Sequence, residues 1–195
     1  GESVLHNKIG TQLASEIVTI IDEGVVEGGY FLPFDDEGTK KEKTVVVEKG
    51  ILKSYLNNRH SALQLGTEST GNGRAQNFEN IPIVRQTNYY ILPKDHSFEE
   101  LIEDIDFGIY IKAKGTFTFG VGPSQIIKNG ELTEMVRGVV ISGMILETLK
   151  TVDAIGKNLK IVTSAFGACG KGGQAASVGF GGPQVRVRKM TVGGR

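Results

Sequence analysis

The sequence predicts an α+β fold, a mainly antiparallel β-sheet of barrel- or sandwich-like form with about three helices packed on it. Strand and hairpin signals outnumber helical ones along the chain. Strands and helices do not alternate regularly, as they would around a parallel sheet, and no motif repeats at a fixed period. Because 195 residues can bury most of an apolar core, we expect residues 1–195 to form a single domain or a large piece of a bigger one, and no second domain is required.

Two hairpin turns are predicted from glycine-containing dipeptides that separate short strand-like runs. Asn129-Gly130 lies between two such runs, and this dipeptide accepts the positive φ that a type I′ turn requires. Lys49-Gly50 has the same position within residues 44–55. We therefore expect an antiparallel strand pair on either side of both turns.

Two further segments alternate as half-buried strands do. In TFTFGV (116–121), Phe117 and Phe119 fall on one face, and in QVRVRKMTV (184–192) valine alternates with arginine. Each of these strands is expected to pack one face on the core and to expose the other to solvent.

Helical periodicity is clearest in residues 97–105. Ser97 and Glu100 form a capping box, and apolar residues follow at i, i+3, i+4 and i+7, which gives the helix one apolar face. Two longer helices are predicted over Ser142–Ile155 and Leu52–Leu65. Each carries an apolar stripe and is followed by a glycine suited to ending a helix.

The charge and composition exclude several classes of partner. Basic and acidic residues both number 22, so the net charge is zero and no overall field attracts nucleic acid or an anionic membrane. One cysteine cannot form an intramolecular disulfide, and no run of about 20 apolar residues is present. We expect a cytoplasmic protein that binds neither nucleic acid nor membrane.

Cys169 is the only cysteine, and it lies in the glycine-rich stretch AFGACGKGGQ (165–174). A lone cysteine is most often a small buried apolar residue, and a nucleophile or a metal ligand are the alternatives. Here the neighbouring glycines leave backbone amides uncovered and Lys171 adds a positive charge, a setting that favours an anion such as a thiolate. A functional role for Cys169 is therefore a hypothesis to test.

Two other kinds of site find little support in the sequence. A phosphate-binding loop would need glycine at Ala165 and a hydroxyl at Gly172. The three histidines, His6, His60 and His96, include no pair at helical i, i+4 spacing. We therefore predict neither a nucleotide site nor a zinc site made within this chain alone.

Two polar loops remain as candidates. TESTGNGRAQNF (67–78) is a surface turn or, alternatively, a loop in which Arg74 binds a substrate carboxylate or carbonyl. FDDEGTKKEK (34–43) has three consecutive carboxylates, which favours a solvated turn over a metal site because adjacent side chains converge poorly.

Seven collinear motifs carry a resemblance to a known family. In order along the chain they are SEIVTIIDEG, FDDEGT, GILKSYLNNRHSALQLG, TGNGR, TFTFGVGPSQIIKNGEL, RGVVISGMILETLKTVDAIGKN and CGKGGQ with VGFGGPQVRVRKMTVGG. From about Lys8 to Gly194 the chain resembles the C-terminal domain of the TldD/PmbA family, whose members were long labelled modulators of DNA gyrase. The glycine-flanked cysteine and the TVGG ending resemble the TldD branch.

The resemblance implies a zinc metallopeptidase built on a His-Glu-x-x-x-His helix, with two histidines and a distant cysteine as ligands and the glutamate as general base. Cys169 matches the cysteine ligand. A zinc ion with three protein ligands keeps a position for the water that attacks a carbonyl. The residues expected to line a peptide-binding cleft are Thr70, Gly71, Asn72, Gly73, Arg74, Gly170 and Lys171. The family also implies a homodimer or a heterodimer with a related subunit.

One departure from the family limits the expected activity. In relatives the His-Glu-x-x-x-His helix precedes the stretch that resembles GESVLHNKIG, and this chain begins at Gly1. We therefore expect no catalytic residue within the chain, no activity from it alone and little retained zinc. The alternatives are a non-catalytic, PmbA-like scaffold or partner subunit, or a gyrase-modulating interaction protein.

Overall fold

The computed structural model describes residues 4–111, 122–163 and 169–193, which form six small antiparallel or mixed sheets and three short helices. In chain order the strands are β1 (Ile20–Glu23), β2 (Thr44–Glu48), β3 (Ile51–Leu52), β4 (Gly73–Arg74), β5 (Ile83–Val84), β6 (Asn88–Ile91), β7 (Phe107–Ile111), β8 (Ser124–Lys128), β9 (Glu131–Val136), β10 (Val140–Ser142), β11 (Val152–Ile155), β12 (Lys160–Thr163), β13 (Cys169–Lys171), β14 (Gln174–Ala176), β15 (Gly179–Gly182), β16 (Val185–Val187) and β17 (Thr191–Gly193). The helices are α1 (Arg59–Leu65), α2 (Phe98–Ile102) and α3 (Ile145–Lys150).

The predicted α+β class is confirmed, in a sandwich-like form, and the described strands close no barrel. The largest sheet has six strands in the order β12-β15-β6-β1-β2-β3. Its neighbours pair antiparallel except β15 and β6, which meet in parallel at Gly179 and Asn88. This sheet therefore combines strands from both halves of the chain.

The main core lies against this sheet. Val18, Leu52 and Ile155 have no exposed surface. The other buried members of the cluster are Leu13, Ala14, Ile20, Val46, Val47 and Val152. Strand β16 packs its valines against the same cluster, so the sheet formed by β11 and β16 covers it.

Both predicted hairpin turns are confirmed. Asn129 and Gly130 have φ of 50° and 79° between β8 and β9. Lys49 and Gly50 have φ of 48° and 79° between β2 and β3. Positive φ at both central residues is the type I′ requirement that the dipeptides predicted.

The capped helix and one alternating strand are also confirmed. Ser97 accepts a hydrogen bond from the Glu100 amide, and the Glu100 carboxylate accepts from the Ser97 amide, but α2 ends at Ile102 rather than at residue 105. Arg186, on the polar face of β16, binds Asp153 instead of extending freely into solvent. The alternation in 116–121, with Phe117 and Phe119, lies outside the described residues.

The predicted helix over Ser142–Ile155 is wrong at both ends. Helix α3 covers only Ile145–Lys150, and Val152–Ile155 forms β11, which pairs with β16. Val152, Ala154 and Ile155 are buried in this arrangement. Burial against a neighbouring strand therefore outweighs the local helical spacing.

The predicted helix over Leu52–Leu65 is correct only in its last half. Leu52 belongs to β3, and α1 begins after Asn58, whose side chain accepts from the Ser61 amide. Gly66 ends the helix at φ 64°, as predicted. Asparagine favours the N-cap over the helix interior, which explains the late start. No helix of the described part is long and apolar enough to cross a membrane.

Candidate functional site

Cys169 begins a short β-hairpin rather than lying in an open loop. Strands β13 and β14 pair in register, with Cys169 opposite Ala176. The turn between them consists of Gly172 and Gly173, with φ of 58° and 75°. Glycine adopts such angles without strain, so these two glycines serve a type I′ turn. The Cys169 side chain is half-buried and forms no disulfide.

The hairpin is attached to the chain segment 76–85 by side-chain hydrogen bonds. The Lys171 ammonium donates to the Val84 carbonyl at 2.8 Å. The Ala175 amide donates to the side-chain oxygen of Gln76 at 2.7 Å. Because β5 pairs with β4, the structure brings the predicted site residues Gly170 and Lys171 next to the segment that carries Gly73 and Arg74.

The loop from Thr70 to Arg74 is largely inside the protein. Gly71, Asn72, Gly73 and Arg74 are buried, and Thr70 is half-buried. For these five residues, the interpretation as a surface turn is wrong. Their role in substrate binding stays a prediction.

Asn72 is the centre of a buried polar network. Its amide nitrogen donates to the Asp22 carboxylate at 2.8 Å and to the Arg85 carbonyl at 2.7 Å. Its amide oxygen accepts from the Lys41 ammonium at 3.0 Å and from the Thr70 hydroxyl at 2.7 Å. Each side-chain polar atom of Asn72 thus makes two hydrogen bonds, as a buried amide requires.

Asp22 and Lys41 form an ion pair of 2.9 Å, and neither side chain has any exposed surface. Asp22 also accepts from the Thr87 amide at 2.8 Å, and Lys41 donates to the Thr70 carbonyl at 3.1 Å. Buried charges are tolerated when they are paired and fully hydrogen-bonded. The pair therefore fixes the loop from within.

Arg74 is used for internal contacts. It donates to the Gln86 carbonyl at 2.7 Å and to the Ser177 carbonyl at 2.6 Å, and its guanidinium lies 5.0 Å from the centre of the Tyr30 ring. Burial lowers the pKa of Arg74, and the nearby Arg85 acts in the same direction. Arg74 thus links Ser177, the residue after β14, to the segment between β5 and β6. The guanidinium that was predicted to bind a substrate is used by protein carbonyls.

Arg85 is a site residue that the sequence analysis did not identify. It is 2% exposed, and one terminal nitrogen donates to the carbonyls of Cys169 and Gln174, the latter at 2.9 Å. Its backbone amide also donates to the Asn72 carbonyl at 2.9 Å. The only signal in the sequence was an arginine directly after the apolar run IPIV.

The three consecutive carboxylates of residues 34–43, Asp35, Asp36 and Glu37, bind backbone amides. Asp35 is buried, so the solvated-turn interpretation is wrong for it. Asp35 and Asp36 both bind the segment 73–75, whereas Glu37 binds the amide of Arg59, the first residue of α1. The amides that donate to them outside their own run belong to Thr39, Gly73, Ala75 and Arg59. These three carboxylates are thus used by backbone amides, and among the described residues no group of three or more possible metal ligands is found.

A cysteine thiolate is a chemically suitable zinc ligand, and Cys169 offers one such side chain on the hairpin. The three histidines do not complete a zinc site with Cys169. His6 and His60 are exposed, and Nδ1 of His96 lies 3.3 Å from the Ile155 carbonyl oxygen. In the part of the chain that the structure describes, no three or more histidine, cysteine or carboxylate side chains are grouped to hold a metal.

Comparisons with known proteins agree on one family. Residues 1–194 match the model of the PmbA/TldA metallopeptidase C-terminal domain. A metalloprotease from Methanothermobacter thermautotrophicus is 44% identical over 203 residues, which cover 100% of this chain and 44% of that protein. A zinc metalloprotease TldD homologue from Saccharolobus solfataricus is 36% identical, over 83% of this chain and 38% of its own length.

A solved structure supports the same relationship. The crystal structure of a putative modulator of a DNA gyrase from Thermotoga maritima superposes with a TM-score of 0.77 and 29% identity. The match covers 98% of this chain and 42% of that one. The chain therefore spans less than half the length of the relatives that it matches.

Proposed function

Because the chain belongs to the PmbA/TldA metallopeptidase family, whose C-terminal domain it matches over residues 1–194, we propose that it is the C-terminal part of a TldD-like zinc metallopeptidase. The proposed substrates are peptides or unfolded segments. One observation carries the proposal: the only cysteine is half-buried on a hairpin that several side chains hold in place. Cys169 is the proposed zinc ligand.

The remaining zinc ligands and the general base are proposed to come from outside these 195 residues. The sequence has three histidines and no His-Glu-x-x-x-His motif, whereas the relatives are more than twice as long as the matched region. Zinc would supply a Lewis acid and a water of lowered pKa. The chain alone is therefore proposed to be inactive.

An extended peptide is proposed to bind along the Cys169 hairpin. A side chain added at Gly170 would meet no atom within 4 Å, so the space over this residue is open. Peptides in extended conformation commonly bind the exposed edge of a β-sheet as an added strand, through backbone hydrogen bonds. Gly170 and Lys171 then contact the peptide, while Thr70, Gly71, Asn72, Gly73 and Arg74 support the cleft from beneath.

The proposal extends to assembly and location. A homodimer, or a heterodimer with a related subunit, would enclose a cavity that admits only extended chains. The zero net charge favours neither nucleic acid nor an anionic membrane as a partner. A single cysteine without a disulfide suits a reducing cytoplasm.

The first test is the zinc content of the parent polypeptide, which we define as this chain extended to the length of its relatives. We expect about one zinc per parent polypeptide and almost none in the 195-residue chain. Cys169→Ser should lose most of the zinc and the peptidase activity while keeping the circular dichroism spectrum. Ala175→Ser adds the same hydroxyl to the same hairpin and should retain the zinc.

Other outcomes would favour the alternatives. If Cys169→Ser keeps its zinc and its activity, Cys169 is only a packed thiol. If the parent polypeptide binds no zinc, a scaffold or partner subunit becomes the better proposal. A role as a gyrase modulator, the description that the Thermotoga maritima protein carries, would then be tested by gyrase-binding assays.

A further inference from the structure

The buried side-chain polar atoms without a hydrogen-bond partner belong to one segment of the chain, residues 74–87. Among the described residues they are Nε of Arg74, Nε and one terminal nitrogen of Arg85, and the hydroxyl of Thr87. Arg85 also has no carboxylate within ion-pair distance in the described part of the chain. A buried cation without a counter-ion costs free energy, so the position of Arg85 requires an explanation.

The unpaired nitrogens of Arg85 have essentially no accessible surface. The contacts that Arg85 does make are therefore the better guide to its role. Its second terminal nitrogen donates to the carbonyls of Cys169 and Gln174.

These two carbonyls belong to the two strands of one hairpin. Cys169 is the first residue of β13 and Gln174 is the first residue of β14. Lys171 and Gln76 attach the turn end and the second strand of the hairpin. In the described part of the chain, Arg85 is the only side chain that bonds to the backbone of Cys169.

Arg85 is itself held by the buried network. Asn72 bonds to both its backbone amide and its backbone carbonyl. Asn72 in turn binds Asp22 and Lys41, which have no exposed surface. A continuous set of hydrogen bonds thus runs from this ion pair through Asn72 and Arg85 to Cys169.

We propose that Arg85 is a positioning residue for Cys169. Its guanidinium donates hydrogen bonds to the Cys169 and Gln174 carbonyls and so fixes the orientation of the Cys169 side chain on the hairpin. This inference rests on the proposed zinc-ligand role of Cys169. Residues behind a ligand fix its orientation, and their loss commonly lowers metal affinity about 10- to 100-fold. A lysine keeps the charge but lacks the planar set of donors.

The test uses the parent polypeptide with cobalt(II) in place of zinc, because cobalt reports a thiolate ligand through its charge-transfer absorption. Arg85→Gln and Arg85→Lys should each weaken cobalt binding by about 10- to 100-fold. Both should also change the thiolate-to-cobalt band at saturation. Wild-type affinity and an unchanged band in Arg85→Gln would overturn the proposal, and so would full recovery in Arg85→Lys, since charge alone would then suffice.

Arg186→Gln is the matched control. Arg186 is a half-buried arginine whose partners are Asp153, Asp104 and the Leu101 carbonyl, none of which belongs to the Cys169 hairpin. Its replacement should lower stability but leave the cobalt affinity and the band unchanged. Amide hydrogen exchange of the wild-type protein adds a measurement that does not depend on the folding of a variant. Slow exchange in β13 and β14 supports the proposal that Arg85 holds the hairpin in place, and fast exchange throughout the hairpin overturns it.

Cys169→Ser, measured in parallel, separates this inference from the proposed function. If Cys169→Ser binds cobalt as tightly as the wild type, the zinc-ligand role fails and the positioning role fails with it. If Cys169→Ser weakens binding and the Arg85 variants do not, only the positioning role fails.

Discussion

At the scale of single residues, the protein buries several polar side chains and pairs most of them completely. The ion pair of Asp22 and Lys41 is the clearest case, because both side chains lack exposed surface and both also bond to Asn72. Such a pair contributes little net stability when it is complete, but the loss of one partner leaves the other charge unpaired.

Lys41→Met tests this pairing. The substitution leaves the Asp22 carboxylate buried without its cation, so we expect the free energy of unfolding to fall by about 3–5 kcal/mol. Urea unfolding followed by circular dichroism measures the change. Lys40→Met is the control, since its exposed pair with Glu42 should cost less than about 1 kcal/mol. Equal effects of the two substitutions would contradict the importance of the buried pair.

At the scale of elements, glycines determine the shape of the hairpin that carries Cys169. Gly172 has φ 58°, and a side chain there would lie 3.3 Å from the Ile83 side chain. Gly170 does not have a positive φ and has open space around it. A side chain should therefore be tolerated at Gly170 but cause strain at Gly172.

Gly172→Ala is expected to destabilise the protein by about 1 kcal/mol, because a left-handed backbone brings Cβ close to a carbonyl oxygen. Gly170→Ala should change the free energy of unfolding by less than about 0.5 kcal/mol. Urea unfolding of both variants beside the wild type measures the difference. A Gly170→Ala variant as unstable as Gly172→Ala would show that the turn angle is not the cause.

At the scale of the whole molecule, the six-stranded sheet and its core join distant parts of the chain. Strands β1, β2, β3 and β6 come from the first half, and β12 and β15 from the second. The core beside them combines Val18, Leu52 and Ile155. The core beside this sheet therefore forms only when distant parts of the chain come together.

Leu52→Ala probes this core. Leu52 has no exposed surface, so the lost apolar contacts and the cavity left behind should cost about 2–5 kcal/mol. Leu63→Ala removes the same atoms from a side chain that is 82% exposed, and its cost should stay below about 0.5 kcal/mol. Thermal and urea unfolding measure both. A small loss for Leu52→Ala would mean that this cluster is not the main core.

The sequence alone determined features whose contacts are local. The turns at Asn129-Gly130 and Lys49-Gly50 and the cap at Ser97 depend on residues within a few positions of one another, so composition and spacing predict them. Cys169 was also recognisable, because it is the only cysteine and its glycine-rich surroundings match a family motif.

Only the tertiary structure decided which segments became strands and which polar residues were buried. Val152–Ile155 has helical spacing but pairs with β16, whose partner residues lie 30 to 35 positions farther along the chain. Asn72 binds Asp22 across 50 residues, and Arg85 reaches Cys169 across 84. Such partners leave no signal in a local pattern, because the burial and pairing that favour them exist only once the chain has folded.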